Sequence, residues 1–105
     1  MRERLQETDW KYYNSIIESV RERYLESQNK KLVSMLSDNK LTQTERFWKI
    51  EEFYRKEARI LNDCLGNLSR SNMVHSILLM CRYKMMRDKD LEGFSEELQS
   101  RIADL

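Results

Sequence analysis

The chain reads as all-α: a small three- to four-helix bundle with a long antiparallel first helix pair and a central apolar third helix. Three observations predict it. There is no proline and there are only two glycines, Gly66 and Gly93, in 105 residues. A strand-rich domain needs turn residues about every eight to twelve positions, and here they are missing. Apolar side chains recur at steps of three and four through most of the chain, the period of one helix face. Finally, the polar stretch SDNK at 37–40 separates two such segments by a connection short enough to make them antiparallel neighbours. The length predicts one domain over residues 1–105, with helices at about 9–37, 43–65, 71–87 and 95–105.

The first helix is expected to start at Thr8 or Asp9, either of which can cap its free amides. Its stripe is Trp10, Tyr13, Ile17, Val20 and Tyr24, and Leu32 and Met35 return to the same side. One continuous helix to about Ser37 follows, on the order of 40 Å long. A break at Ser27-Gln28-Asn29 is the alternative, and the Glu26–Lys30 pair spaced i,i+4 supports continuity there.

In the second helix, Thr42-Gln43-Thr44-Glu45 matches a capping box. Phe47, Ile50, Tyr54, Ala58, Leu61 and Leu65 form its apolar stripe, with Phe53 and Cys64 widening it. Gly66 stands where a helix commonly ends in a left-handed residue. The third helix is apolar on two sides. Val74, Ile77, Leu78, Cys81 and Met85 make one face, and Leu79, Tyr83 and Met86 lie roughly opposite. A helix apolar nearly all round is central in its fold or covered by another chain. Ser95 then caps a short last helix with Leu98, Ile102 and Leu105 on one side.

The whole-chain charge excludes little. Nineteen basic and eighteen acidic side chains leave a net charge of +1, which argues weakly against nucleic acid. Residues 70–89 nonetheless carry a local basic excess, and residues 90–105 an acidic one. The longest apolar run, residues 77–81, is far short of the roughly 20 residues of a membrane span. The opening MRERLQETDW lacks the apolar segment of a secretory signal. Two cysteines seventeen positions apart read as reduced thiols in a cytoplasmic protein.

One stretch bears directly on function. LGNLSRSNMVHSIL, from Leu65, resembles the LG-x-S-R-S-x-V-x-x-I-L pattern of bacterial helix-turn-helix regulators. The resemblance covers about sixteen residues within a unit of residues 61–84 and implies DNA contact by Arg70, Asn72, His75, Ser76, Arg82 and Lys84. Arginine and asparagine are the residue types that read guanine and adenine edges. The spacing departs from the pattern between Gly66 and Ser69, and apolar LLM follows where a reading helix stays wet. The competing account is a glycine-ended helix followed by a serine-capped buried one.

No catalytic or metal site is expected. His75 is the single histidine, and neither Cys64 nor Cys81 belongs to a CxxC pair of the kind zinc sites use. A nucleophilic pairing of either cysteine with His75 has no local signature. The prediction is a non-enzymatic chain with no cofactor and no small-molecule substrate. Its expected partner is a protein, and a homodimer is one form of that expectation. Tyr12, Trp48, Leu79, Tyr83 and Met86 are the interface candidates, because aromatics off the core stripe and methionine-rich faces are common anchors. The expected role is a small regulator, adaptor or inhibitor, of the kind phages and plasmids carry as accessory proteins. Helix-turn-helix DNA binding is the alternative.

Overall fold

The computed structural model describes residues 7–104. It is all-helical among those residues: α1 (Glu7–Leu36), α2 (Gln43–Leu65), a 3-10 turn (Arg70–Asn72), α3 (Met73–Arg82), α4 (Asp88–Leu91) and α5 (Glu96–Ala103). The expected bundle is present, and α1 runs unbroken through Ser27-Gln28-Asn29. Leu105 lies outside the described residues.

α1 and α2 form an antiparallel hairpin. The capping box holds the start of α2: Glu45 N–H donates to Thr42 Oγ1 at 3.0 Å, and Thr42 N–H donates to Glu45 Oε1 at 2.9 Å. Arg46 locks the turn, donating to the carbonyls of Asp38 at 2.6 Å and Leu41 at 3.3 Å.

The core sits at one end of this hairpin. α1 supplies Tyr13, Ile17 and Val20, α2 supplies Ile60 and Cys64, and α3 supplies Met73, Ile77 and Met80. Met85, Met86, Phe94 and Leu98 close it from the C-terminal segment. Residues 21–59 contribute no side chain to that core. The molecule is therefore a compact head with a two-helix arm, and it measures 59 × 22 × 22 Å.

The structure corrects several expectations of local geometry. Asp9 lies inside α1 rather than at its cap; its carboxylate reaches across to α5, where Ser95 N–H and Ser95 Oγ each donate to it at 2.7 Å. Gly66 is not left-handed, at φ −73°. Its N–H continues the helical ladder to Asn62 O at 2.9 Å, and a Cβ there would fall 2.4 Å from that oxygen. Gly93 is needed for space as well: a Cβ would stand 2.1 Å from Cζ of Tyr12.

α3 ends at Arg82 rather than near residue 87. The stop is a Schellman turn in which Lys84 adopts φ 61°. Lys84 N–H donates to Cys81 O at 3.1 Å and Met85 N–H to Met80 O at 2.7 Å, and Met80 and Met85 are both buried in the core. Met86 is thus not on α3, and the second apolar face predicted for that helix dissolves. Glycine is the residue that usually announces this turn, and lysine hides it. Left-handed backbone costs an L-residue roughly 1–2 kcal/mol, part of which glycine returns as unfolded-state entropy. Lys84→Gly is expected to stabilise the head by about 0.5–1 kcal/mol, or roughly 3–5 °C in Tm. A thermal melt followed by circular dichroism checks this, and a lowered Tm would contradict the turn.

Candidate functional site

The arm presents apolar side chains that nothing among the described residues covers. Among the described residues seven large hydrophobics are well exposed, and five belong to the arm: Val33 and Leu36 at 61%, Phe47 at 63%, Trp48 at 60% and Tyr54 at 65%. Phe47, Ile50 and Tyr54 are expected to point inward, and only Ile50 does so, half-buried, while the two rings are exposed. The side of α2 turned toward α1 instead carries Arg46, Ile50, Phe53, Glu57, Ile60 and Cys64, all buried or half-buried. That side is about 70–80° round the helix from the apolar stripe, at 3.6 residues per turn.

The cause lies in α1. Beyond Tyr24 the polar Gln28 is buried in the middle of the hairpin, with half-buried Leu25 and Leu32 on either side, and is a poor partner for an aromatic ring. Tyr24 hydroxyl donates to Glu57 instead. Burial, with that bond adding to it, pushes the tyrosine's pKa upward. The strongest stripe of α2 is left on the flank. There Leu36, Phe47, Ile50 and Tyr54 border one shallow groove, and Tyr54 passes into a second lined by Leu25, Leu32, Phe53, Ala58 and Leu61. Phe47 and Trp48 meet edge to face at 5.0 Å. Glu51 and Arg55 pair along the rim, with nitrogen and oxygen 2.9 Å apart.

The five interface candidates scatter. Trp48 lies on the arm as an exposed ring. Tyr12 is engaged inside the head, where its hydroxyl donates to Asp90 O at 2.6 Å and its ring meets Phe94 edge-on at 4.8 Å. Met86 is a core side chain at 3% exposure. Leu79 packs half-buried against the core, and Tyr83 stands at the rim of a cleft described below. Sequence reasoning missed Phe47, Tyr54, Val33 and Leu36. The signal available was the mismatch between a strong stripe on α2 and a polar partner face on α1.

The six DNA-contact candidates do not assemble into one reading face either. Ser76 is fully buried. The Asn72 amide donates to Asn67 O and Ser76 Oγ, each at 3.0 Å. Arg70 pairs with Glu7 at 2.9 Å and lies over the Trp10 ring at 5.5 Å. His75, Arg82 and Lys84 are exposed. The cysteines are poor nucleophiles where they stand. Burial, helped by the nearby Asp63 charge, pushes the Cys64 thiol up to about 11. Cys81 is raised by burial and by the charges of Asp88 and Asp90. A protonated thiol does not attack.

On the other side of the hairpin, a cleft of about 390 Å³ opens where α1 and α2 meet the turn after α3. Lys31, Lys56, Lys84 and Arg87 border it, together with Gln28 and Glu57. No described helix is long and apolar enough to cross a membrane. No family model, no curated protein and no solved structure matches this chain.

Proposed function

We propose that the chain is a non-catalytic protein-binding protein whose hairpin arm is the contact surface, and that a second copy of the chain occupies it. The observation carrying this reading is the concentration of Phe47, Trp48, Tyr54, Val33 and Leu36 on an arm without a third layer. Leu36, Phe47, Ile50 and Tyr54 share one groove among these, and an exposed apolar surface of this kind marks interaction sites on stable proteins. Two hairpins laid side by side make a four-helix bundle, the simplest way to bury such a stripe.

The rim charges favour self-pairing. A two-fold interface sets the same surface against itself in reverse order. Glu51 and Arg55 are one turn apart on α2. With two α2 helices crossing antiparallel near Phe53, Glu51 of each copy therefore faces Arg55 of the other. The regulator, adaptor or inhibitor role belongs to the assembled pair.

Sedimentation equilibrium tests the reading. The native chain is expected to be a dimer at micromolar concentration, which corresponds to about −8 kcal/mol of association free energy. The Phe47→Glu, Tyr54→Glu double variant is expected to be a monomer with unchanged helicity, because both rings are exposed within the chain. A native monomer at concentrations up to about 1 mM, or a double variant that still dimerises, would remove the arm as a self-association surface.

A further inference from the structure

We propose that the cleft between α1, α2 and the turn at residues 83–85 binds a compact phosphate-type anion, held by the Gln28 amide and the ammonium groups of Lys31, Lys56 and Lys84. It is a site separate from the arm's apolar flank and does not depend on the dimer.

The first argument is charge. Lys31, Lys56 and Lys84 border the cleft, and none has an ion pair among the described residues. Arg23 is already engaged, its guanidinium held by Asp90 at 2.6 Å. Glu57 is the one carboxylate on the lining, and it accepts from the Tyr24 hydroxyl. The balance is a surplus of positive charge in a concave site, where field lines concentrate and attract anions. Lysine binds phosphate as a point charge that adapts its reach.

The second argument is Gln28. Only 7% of the residue is exposed, it lines the cleft, and its amide has no hydrogen-bond partner among the described residues while staying open to solvent. The stem is packed between the helices while the amide is left to the cleft, and leucine would keep the packing without the polar head. Position 28 lies between two helices that need apolar contacts. Glutamine there makes sense if its NH₂ donates to a ligand oxygen.

The third argument is Lys84 itself. It keeps a left-handed backbone at φ 61° in a turn that glycine suits better, and its side chain stands on the cleft wall. Backbone strain retained at the edge of a site is a recurring mark of function.

Calorimetric titration of the full chain with inorganic pyrophosphate tests the proposal. The expected result is saturable one-to-one binding that weakens as ionic strength rises. Gln28→Leu should weaken it about tenfold and Lys31→Gln or Lys56→Gln about three- to tenfold each, the range for losing one charge-assisted contact. Gln28→Leu should at the same time raise Tm, the signature of a residue kept for binding at the expense of stability. Lys30→Gln, on the outer side of α1 beside Glu26, should leave affinity unchanged.

Three results would each overturn the proposal: no saturable heat, equal loss with Lys30→Gln, or native affinity in Gln28→Leu. So would a DNA duplex that outcompetes pyrophosphate and is lost with the same lysine variants. That result would make the cleft part of a nucleic-acid surface instead of a compact ligand site.

Discussion

Asp9→Ala is expected to destabilise the head by about 3 kcal/mol, because it leaves the half-buried N–H and hydroxyl of Ser95 without a charged acceptor. Asp9 is 3% exposed and its two oxygens each take a bond of 2.7 Å from Ser95, eighty-six residues away. Ser95 is also the N-cap of α5, its hydroxyl accepting from Leu98 N–H at 3.2 Å. One carboxylate thus joins the first turns of α1 to the start of the last helix. α5 has eight residues, too few to be stable without docking. The burial of Phe94 and Leu98 against the core therefore depends on this junction. Hydrogen bonds to charged groups contribute about 1.5–3 kcal/mol each and are not fully additive, hence the intermediate figure. For a domain of this size the Tm should fall by roughly 12–15 °C. Asp9→Asn keeps one good acceptor oxygen and should lose about half as much. An unchanged Tm in Asp9→Ala would mean that α5 is held by its apolar side alone.

Helix existence was legible from residues alone, and helix facing was not. The stripe Tyr13, Ile17 and Val20 predicted the buried side of α1 correctly, and the Thr42–Glu45 box predicted the start of α2. Both signals are local. The side of α2 that packs is decided by what α1 offers across the hairpin. Gln28 is buried in the middle of the hairpin where an apolar layer would be needed, against Phe53 and Glu57, while Phe47 and Tyr54 end on the flank. A hydrophobic stripe therefore identified a surface that needs covering, but not what covers it. The end of α3 was hidden for another reason. Lys84 takes a conformation that sequence reading reserves for glycine or asparagine, so Met86 was assigned to a helix it does not belong to. The cleft was invisible in sequence because its lysines come from three segments more than twenty residues apart and join only when the hairpin closes.

Arg23→Leu is expected to cost about 2–3 kcal/mol and to flatten the acid side of the stability profile. The Arg23 guanidinium donates to both oxygens of Asp90, at 3.2 and 2.6 Å, and to Met85 O at 2.9 Å. Asp90 also accepts from Arg87 N–H at 2.8 Å. The pair thereby ties the middle of α1 to the turn after α3 and to α4. Breaking a fully buried pair costs roughly 3–5 kcal/mol. Here the side chains are 29% and 16% exposed, so water recovers part of that loss. Burial alone would push the Asp90 carboxyl up. The Arg23 hydrogen bonds, the Arg87 N–H and the charges of both arginines outweigh it, and its pKa lies below the ordinary 3.8. A carboxyl with a lowered native pKa stabilises the fold fully above its unfolded value. That contribution fades as pH falls through the native value, a window that opens downward from about pH 4. Urea unfolding at stepped pH should therefore show the native chain losing stability more steeply than Arg23→Leu in that window, and the two curves should converge at its acid end. Parallel curves would mean that Arg87 and the backbone hold Asp90 ionised without Arg23. The same pair shapes the cleft: Arg23, committed to Asp90, becomes part of its wall, and anion capture falls to Lys31, Lys56 and Lys84, which have no ion pair among the described residues.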